Sequence, residues 1–259
     1  MKQKIIILSL FLLVSCNICF AQYVRFVTDG VIEFEKSVNM YALIKKDMAD
    51  NAGDSFWQQA YEQYVKSQPQ FLKMKSTLTF SKNITLFKPA EEQEGNQRLW
   101  SNDPMVKQNN SVYSNLSAGT SIIQKHVYEE TFLVKDNIRR INWKITDQTR
   151  EIAGYQCRRA NALILDSIYV VAFYTDKIPV SGGPESFSGL PGMILGVALP
   201  HENITWFATK VSDQSVLPNA LAAPAKGKQV NSMQLRETIM SALKDWGNYA
   251  KKALKAFLL

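Results

Sequence analysis

Apolar and polar positions divide the chain into a β-patterned body and a helical C-terminus. After an Asp29-Gly30 turn, Val31-Ile32-Glu33-Phe34-Glu35-Lys36-Ser37-Val38 reads as a first strand. A short helix is expected next: Asp54 or Ser55 caps it, Trp57, Tyr61 and Tyr64 recur at spacings of four and three, and Pro69 stops it. Phe71 to Phe80 alternates in part, Lys82-Asn83 marks a turn, and Ile84 to Phe87 returns as the second arm of a hairpin. Residues 90–118 are polar and predict a long surface loop. Beyond them strands are expected at Ser121 to Tyr128, Thr131 to Val134, Asn142 to Ile145, Gly154 to Ile164, Ile168 to Thr175, Met193 to Leu199 and Thr205 to Val211. Turn residues separate them at the short intervals of an antiparallel meander, with Asp166-Ser167 as one tight hairpin.

From Met233 to Phe257 the period changes. Ile239, Leu243, Trp246, Ala250, Ala253 and Phe257 recur at steps of three and four, while Lys244, Lys251, Lys252 and Lys255 take other faces. Asn231 is placed to cap this helix, and the late lysines suit the negative end of its dipole. Gly247 weakens it by about 1 kcal/mol relative to Ala and marks a place for a kink. The expected fold class is therefore α+β. Its parts are a curved, mainly antiparallel sheet of seven or more strands, a short helix in the N-terminal half near 54–67, and one long C-terminal helix packed on one face.

The first 21 residues read as a leader. Lys2 and Lys4 form a basic start, Ile5 to Val14 is an apolar run broken only by Ser9, and Cys19-Phe20-Ala21 precedes Gln22 as a cleavage site. The apolar run is shorter than the ~20 residues that span a bilayer. A rival reading is a lipobox, Leu13-Val14-Ser15-Cys16, which would place a lipid on Cys16. Both imply export to the periplasm or the cell surface, or secretion, with residues 22–259 as a single β-rich domain.

Export changes the charge and the chemistry. The formal net charge of +7 becomes +5 without Lys2 and Lys4, because 28 Lys+Arg then face 23 Asp+Glu. That excess is small, no nucleic-acid module is present, and nucleic acid is not expected as a partner. Loss of Cys16 and Cys19 would leave Cys157 alone, so no internal disulfide is expected. His126 and His201 are far apart in sequence, and neither metal nor cofactor is expected.

One loop stands out, between Tyr174-Thr175 and Met193-Ile194-Leu195. Pro191 fixes φ and Gly192 accepts positive φ, so Leu190-Pro191-Gly192-Met193 predicts a type II turn. Gly182-Gly183-Pro184 predicts a second turn, with Phe187 between them as an apolar anchor. Here the sequence resembles the GLPGLI family, exported proteins of Bacteroidota-type bacteria named for this motif. The chain reads Gly189-Leu190-Pro191-Gly192-Met193-Ile194. Ile152, Gly154-Tyr155, Cys157, Ala160, Tyr174-Thr175, Ile178-Pro179, Gly183-Pro184 and Phe187 extend the resemblance, with Phe173 where the family usually has Trp. The resemblance implies export and a β-rich fold. It implies no activity.

Tyr174, Pro179, Pro184, Phe187, Leu190, Pro191, Gly192 and Met193 are the candidate ligand- or partner-binding residues, because ordered, partly apolar loops on a rigid sheet are common binding sites. The alternative is a rigid turn that sets strand register. Cys157 with His126 or His201 is a weaker nucleophile candidate, against a small buried strand residue. Trp143 with Thr146-Asp147 and Arg150 offers a polar site beside an aromatic wall, or simply a strand and turn. Arg158 and Arg159, with Arg139, Arg140, Lys144 and Arg150, read either as an anion groove or as a solvated sheet face.

Three functional classes follow. A non-catalytic binding or carrier protein for an apolar ligand or extended peptide predicts a deep apolar cavity bordered by residues 176–193. An interaction protein working with an outer-membrane partner predicts a filled core and an exposed apolar patch or sheet edge. An enzyme predicts titratable groups converging in a cleft. Membrane contact is expected only through a lipid on Cys16 or an interfacial C-terminal helix.

Overall fold

A computed structural model describes residues 26–50, 55–90, 103–107 and 110–259. The expected leader over 1–21, Cys16 and the Asp54 cap lie outside the described residues.

The described residues form one twelve-stranded sheet: β1 (Asp29–Asn39), β2 (Phe71–Ser81), β3 (Ile84–Pro89), β4 (Ser111–Asn115), β5 (Thr120–Val127), β6 (Glu130–Asn137), β7 (Lys144–Ile152), β8 (Tyr155–Ile164), β9 (Ile168–Thr175), β10 (Met193–Leu199), β11 (Ile204–Asp213) and β12 (Lys228–Val230). Their order is β12-β6-β5-β4-β3-β2-β1-β11-β10-β9-β8-β7. Neighbours pair antiparallel except β12, which runs parallel to β6 with Lys228 opposite Phe132. The sheet is thus mixed, though mostly antiparallel.

β1 lies near the middle, bonded to β2 and β11 along most of its length. Its alternation puts Ile32, Phe34, Lys36 and Val38 on the buried side. The β2–β3 hairpin closes at Lys82-Asn83 with Lys82 at φ 52°. In the β8–β9 hairpin Leu165 and Asp166 both take positive φ, and Ser167 N–H donates to Ile164 O at 3.2 Å, a type I′ geometry one residue earlier than the Asp166-Ser167 step. β9 and β10 are buried over most of their length, as their near-continuous apolar sequence requires.

Four helices occur among the described residues: α1 (Met40–Asp50), α2 (Ser55–Ser67), α3 (Ser232–Ala242) and α4 (Gly247–Leu258). The expected single long C-terminal helix is therefore corrected. Trp246 N–H bonds back to Leu243 O, and Gly247 sits at φ 53°, the left-handed conformation that a right-handed helix cannot continue through. Trp246 ends up 57% exposed rather than in one continuous apolar stripe. The Asn231 cap is present as a full capping box: its side chain accepts from Gln234 N–H, and Gln234 accepts from Asn231 N–H.

α1 is an element the sequence pattern passes over. It starts directly off β1, where Asn39 Oδ1 accepts from Ala42 N–H, and buries Met40, Leu43 and Ile44. The expected surface loop over 90–118 is also corrected where it is described, residues 91–102 and 108–109 lying outside the described residues. Met105 and Val106 are buried in the main core, and Ser111–Asn115 pairs between β3 and β5. That core joins strands β1–β4 and β8–β11 with α1 and residues 178–195. A smaller cluster sets Leu235, Ile239, Leu243, Ala253 and Phe257 of α3, α4 and their junction against Val127, Phe132 and Val134.

Candidate functional site

The loop from Ile178 to Leu190 is folded into the molecule. Pro179 and Pro191 are exposed, but Tyr174, Pro184, Phe187, Leu190, Gly192 and Met193 are buried. Three tight bonds shape it: Val180 N–H to Ile178 O, Gly182 N–H to Val180 O and Gly192 N–H to Leu190 O, each 2.8 Å. Each spans three residues and so closes a γ-type turn, centred on Pro179, Ser181 and Pro191. The expected type II turn at 190–193 is thereby corrected: Met193 N–H instead bonds Ile178 O at 3.0 Å, and Gly192 lies at φ 148°.

Side chains then tie the loop down. Trp143 Nε1–H donates to Ser188 O at 2.9 Å, Ser181 Oγ to Leu190 O at 2.6 Å, and Ser186 Oγ to Leu259 O at 2.8 Å. Phe187 meets Trp206 with ring centroids 6.2 Å apart. Trp143 therefore belongs to the loop's anchorage rather than to a separate site with Asp147, which is exposed.

Around Glu185 of this loop gathers a group of polar residues that the sequence pattern does not single out. Glu185, at φ 50°, is 7% exposed, and Asn110 Nδ2 donates to its Oε2 at 3.2 Å. Lys36 of β1 and Lys125 of β5 are comparably buried. Lys36 Nζ donates to Val106 O at 2.7 Å and Met105 O at 3.4 Å, and lies 5.1 Å from the Trp206 ring centroid. Burial raises the Glu185 carboxyl above its ordinary range, against the pull of Lys36, Lys125 and the Asn110 bond. A signal for both lysines exists in the sequence. Each falls in the inward phase of an alternating strand, Ile32-Phe34-Lys36-Val38 and Ser121-Ile123-Lys125-Val127.

Burial also pushes the Lys125 ammonium down to about 8, with Glu185 opposing and Arg139 adding to the shift. In the unfolded chain a lysine keeps its proton to about pH 10.4. Between about pH 8 and pH 10 the unfolded chain therefore binds more protons, and stability rises with pH through that window. Urea unfolding at about pH 7.5 and about pH 9.5 is expected to show a gain of roughly 2 kcal/mol that Lys125→Met lacks. An equal gain in both proteins would remove Lys125 as its source.

Cys157 is fully buried, its thiol pushed up to about 12 by burial, so the nucleophilic thiolate is strongly disfavoured. Arg150 stacks over Phe207 at 4.6 Å, Arg159 bonds Asn161 and Gln148, and Arg139 bonds Leu258 O. Each of these three cations has partners of its own. Among the described residues, no three His, Cys, Asp or Glu side chains gather to hold a metal, and no helix is long and apolar enough to cross a membrane.

Trp246 and Tyr249 stack at 5.5 Å where α3 meets α4, Tyr249 and Tyr128 hydroxyls are 3.2 Å apart, and all three rings are exposed. A cleft of about 190 Å³ lies between α1 and α4 and is not bordered by residues 176–193.

A family model described as a protein of unknown function (Porph_ging) matches residues 163–196, from the end of β8 through the loop into β10. No curated protein matches the chain. The chain is similar in fold to PNGF-II as solved in space group P21, with a TM-score of 0.50 and 14% identity over 82% of this chain and 33% of that one. It is similar to the same protein in space group C2, with a TM-score of 0.50 and 13% identity over 81% of this chain and 32% of that one. The chain thus spans about a third of the length of those structures, and at this identity the likeness is one of fold.

Proposed function

We propose that this chain is an exported, non-catalytic envelope protein of the GLPGLI type that works by docking onto an outer-membrane protein partner. The observation that carries this reading is that the motif loop is consumed by the core: Phe187, Leu190 and Met193 fill the space that a carrier cavity would need. The loop serves as scaffold, and recognition falls to the surface, where exposed aromatic rings gather at the junction of α3 and α4. Trp246, Tyr249 and Tyr128 form an exposed group of the residue types that dominate protein interfaces.

A protein partner suits this group better than a lipid surface. The apolar side of α4, with Ala253, Ala256 and Phe257, is turned into the fold, so the helix keeps little apolar face for a bilayer. Glu129, Glu130 and Asp245 are exposed beside the three rings in sequence and outnumber the exposed Lys244 and Lys251 there, so the group offers no net basic surface to anionic headgroups.

A photo-crosslinker at position 249 is expected to capture one stoichiometric outer-membrane protein in the native envelope. Trp246→Ala should abolish that capture while changing stability by less than about 0.5 kcal/mol, as exposed substitutions do. Leu217→Ala, at a side chain 69% exposed elsewhere, should leave it intact. Capture that survives Trp246→Ala, or that is lost equally in Leu217→Ala, would sink the reading.

A further inference from the structure

The cleft between α1 and α4 has a composition that structure-holding alone does not explain. Its floor is apolar, from Leu43 of α1 and Met105, both nearly fully buried. Its walls carry four ammonium groups, Lys46, Lys251, Lys252 and Lys255. Asn203 and the 3-10 turn Pro200–Glu202 close one end.

Three carboxylates answer those four cations. Lys252 bonds Asp47 and Asp103, each at 2.8 Å. Glu202 receives Lys255, and Lys46 at 3.4 Å. Lys251 has no ion-pair partner among the described residues. Burial would raise the Glu202 carboxyl, but the Lys255 bond and the charges of Lys46 and Lys255 hold it below the usual range. Burial would lower Lys252, but Asp103 and Asp47 more than offset this. Both groups therefore stay ionised near neutral pH, and among the described residues lining the cleft one positive charge is left over at the mouth. The ion pairs account for α4 being held against α1. They account neither for Lys251 nor for the unfilled volume above Leu43 and Met105.

We propose that this cleft binds a small monocarboxylate carrying a short apolar chain. The carboxylate neutralises the surplus charge at Lys251 and Lys46, and the chain lies on Leu43 and Met105. A monoanion matches a surplus of one, whereas a dianion would overshoot it and meet Asp47 and Glu202. The volume of about 190 Å³ is a little above the ~150 Å³ of an engineered cavity that admits benzene, which sets the ligand at roughly six to eight heavy atoms.

Titration calorimetry of the whole protein at low ionic strength tests this with sodium hexanoate as probe, against hexanol and inorganic phosphate. Saturable hexanoate binding is expected, with hexanol and phosphate both weaker. Lys251→Gln should weaken hexanoate about tenfold, the size of one lost charge-assisted contact, with the ligand-free melting temperature unchanged. Trp246→Ala should leave hexanoate affinity intact, so this site and the aromatic docking surface stand or fall separately. The proposal is overturned by an absence of saturable hexanoate binding, by hexanol or phosphate binding as tightly, or by an unchanged affinity in Lys251→Gln.

Discussion

Gly192→Ala is expected to destabilise the protein by roughly 2–6 kcal/mol, from a displaced neighbour of about 1–3 kcal/mol and a backbone strain of similar size. Against a total stability of about 5–15 kcal/mol for a domain, that is enough to leave much of the population unfolded on warming. Two causes act at once. Gly192 lies at φ 148°, where a side chain is strained whatever the space. A Cβ there would also stand 2.1 Å from Thr175 O, a backbone atom at the end of β9 that cannot swing aside. The β9–β10 pair would have to separate just where the loop re-enters the sheet, with Met193 opposite Thr175. Gly154→Ala is the matched control. It has φ 81° with nothing within 4 Å of the new atom, so only backbone strain of about 1 kcal/mol is expected. Urea unfolding of the two variants separates the terms. Equal, small losses in both would mean that the strands part easily and that the motif glycine is not a packing requirement.

This result would give the Gly189 to Ile194 motif a physical role. Only Gly189 and Pro191 of it are exposed, Pro191 at the centre of a γ-type turn, and its apolar residues Leu190, Met193 and Ile194 are buried. Exposure in sequence terms, a Pro-Gly turn between two strands, suggests a surface loop. The fold makes it an interior one because Trp143 and Ser181 donate to its Ser188 and Leu190 carbonyls, as an interior loop requires, and its Ser186 hydroxyl donates to Leu259 O. The family-model match over residues 163–196 covers this same packed segment.

What was legible in the sequence follows from where periodicity is unambiguous. β8, β9, β10 and β11 fall on their expected segments because long apolar or alternating runs end in clear turn residues. β4 escapes notice because one of its two inward residues is Ser114, so Val112 alone marks the buried phase. α1 escapes because no breaker separates it from β1; its Met40, Leu43 and Ile44 spacing is present but begins on the residue after the strand ends. β12 is three residues long and pairs in parallel with a distant strand, which no local pattern records. The C-terminal stripe misleads in the opposite sense, since Gly247 in the left-handed conformation interrupts a period that reads as continuous. The buried cluster of Lys36, Lys125, Glu185 and Asn110 is the least legible part. Two of its members show only as charges in the wrong phase of a strand, and their partners lie about 60 to 150 residues away in the chain.

Lys36→Met is expected to cost about 3 kcal/mol, within the range for breaking a buried charge group by removing one member. Methionine keeps the volume, so the loss is electrostatic. Val106 O and Met105 O each lose a charged donor, and Trp206 loses the cation over its ring. Glu185 also loses one of the two lysines that offset its burial, so its carboxyl rises further and takes up a proton more readily. That response limits the damage and makes it pH-dependent. A group whose folded pKa lies above its unfolded value binds a proton preferentially in the folded state, so its stabilising contribution is present at low pH and lost as pH rises through the folded pKa. The Lys36→Met deficit should therefore shrink on acidification from neutrality toward the ordinary glutamate range of about pH 4.3. Glu185→Gln mimics the protonated form and should recover part of the loss when combined with Lys36→Met, with a coupling of about 1 kcal/mol or more. Urea unfolding of the two single variants and the pair at neutral and acid pH measures both effects. Strictly additive, pH-independent losses would show that Lys36 acts only on the 105–106 carbonyls and that the charge on Glu185 is balanced elsewhere.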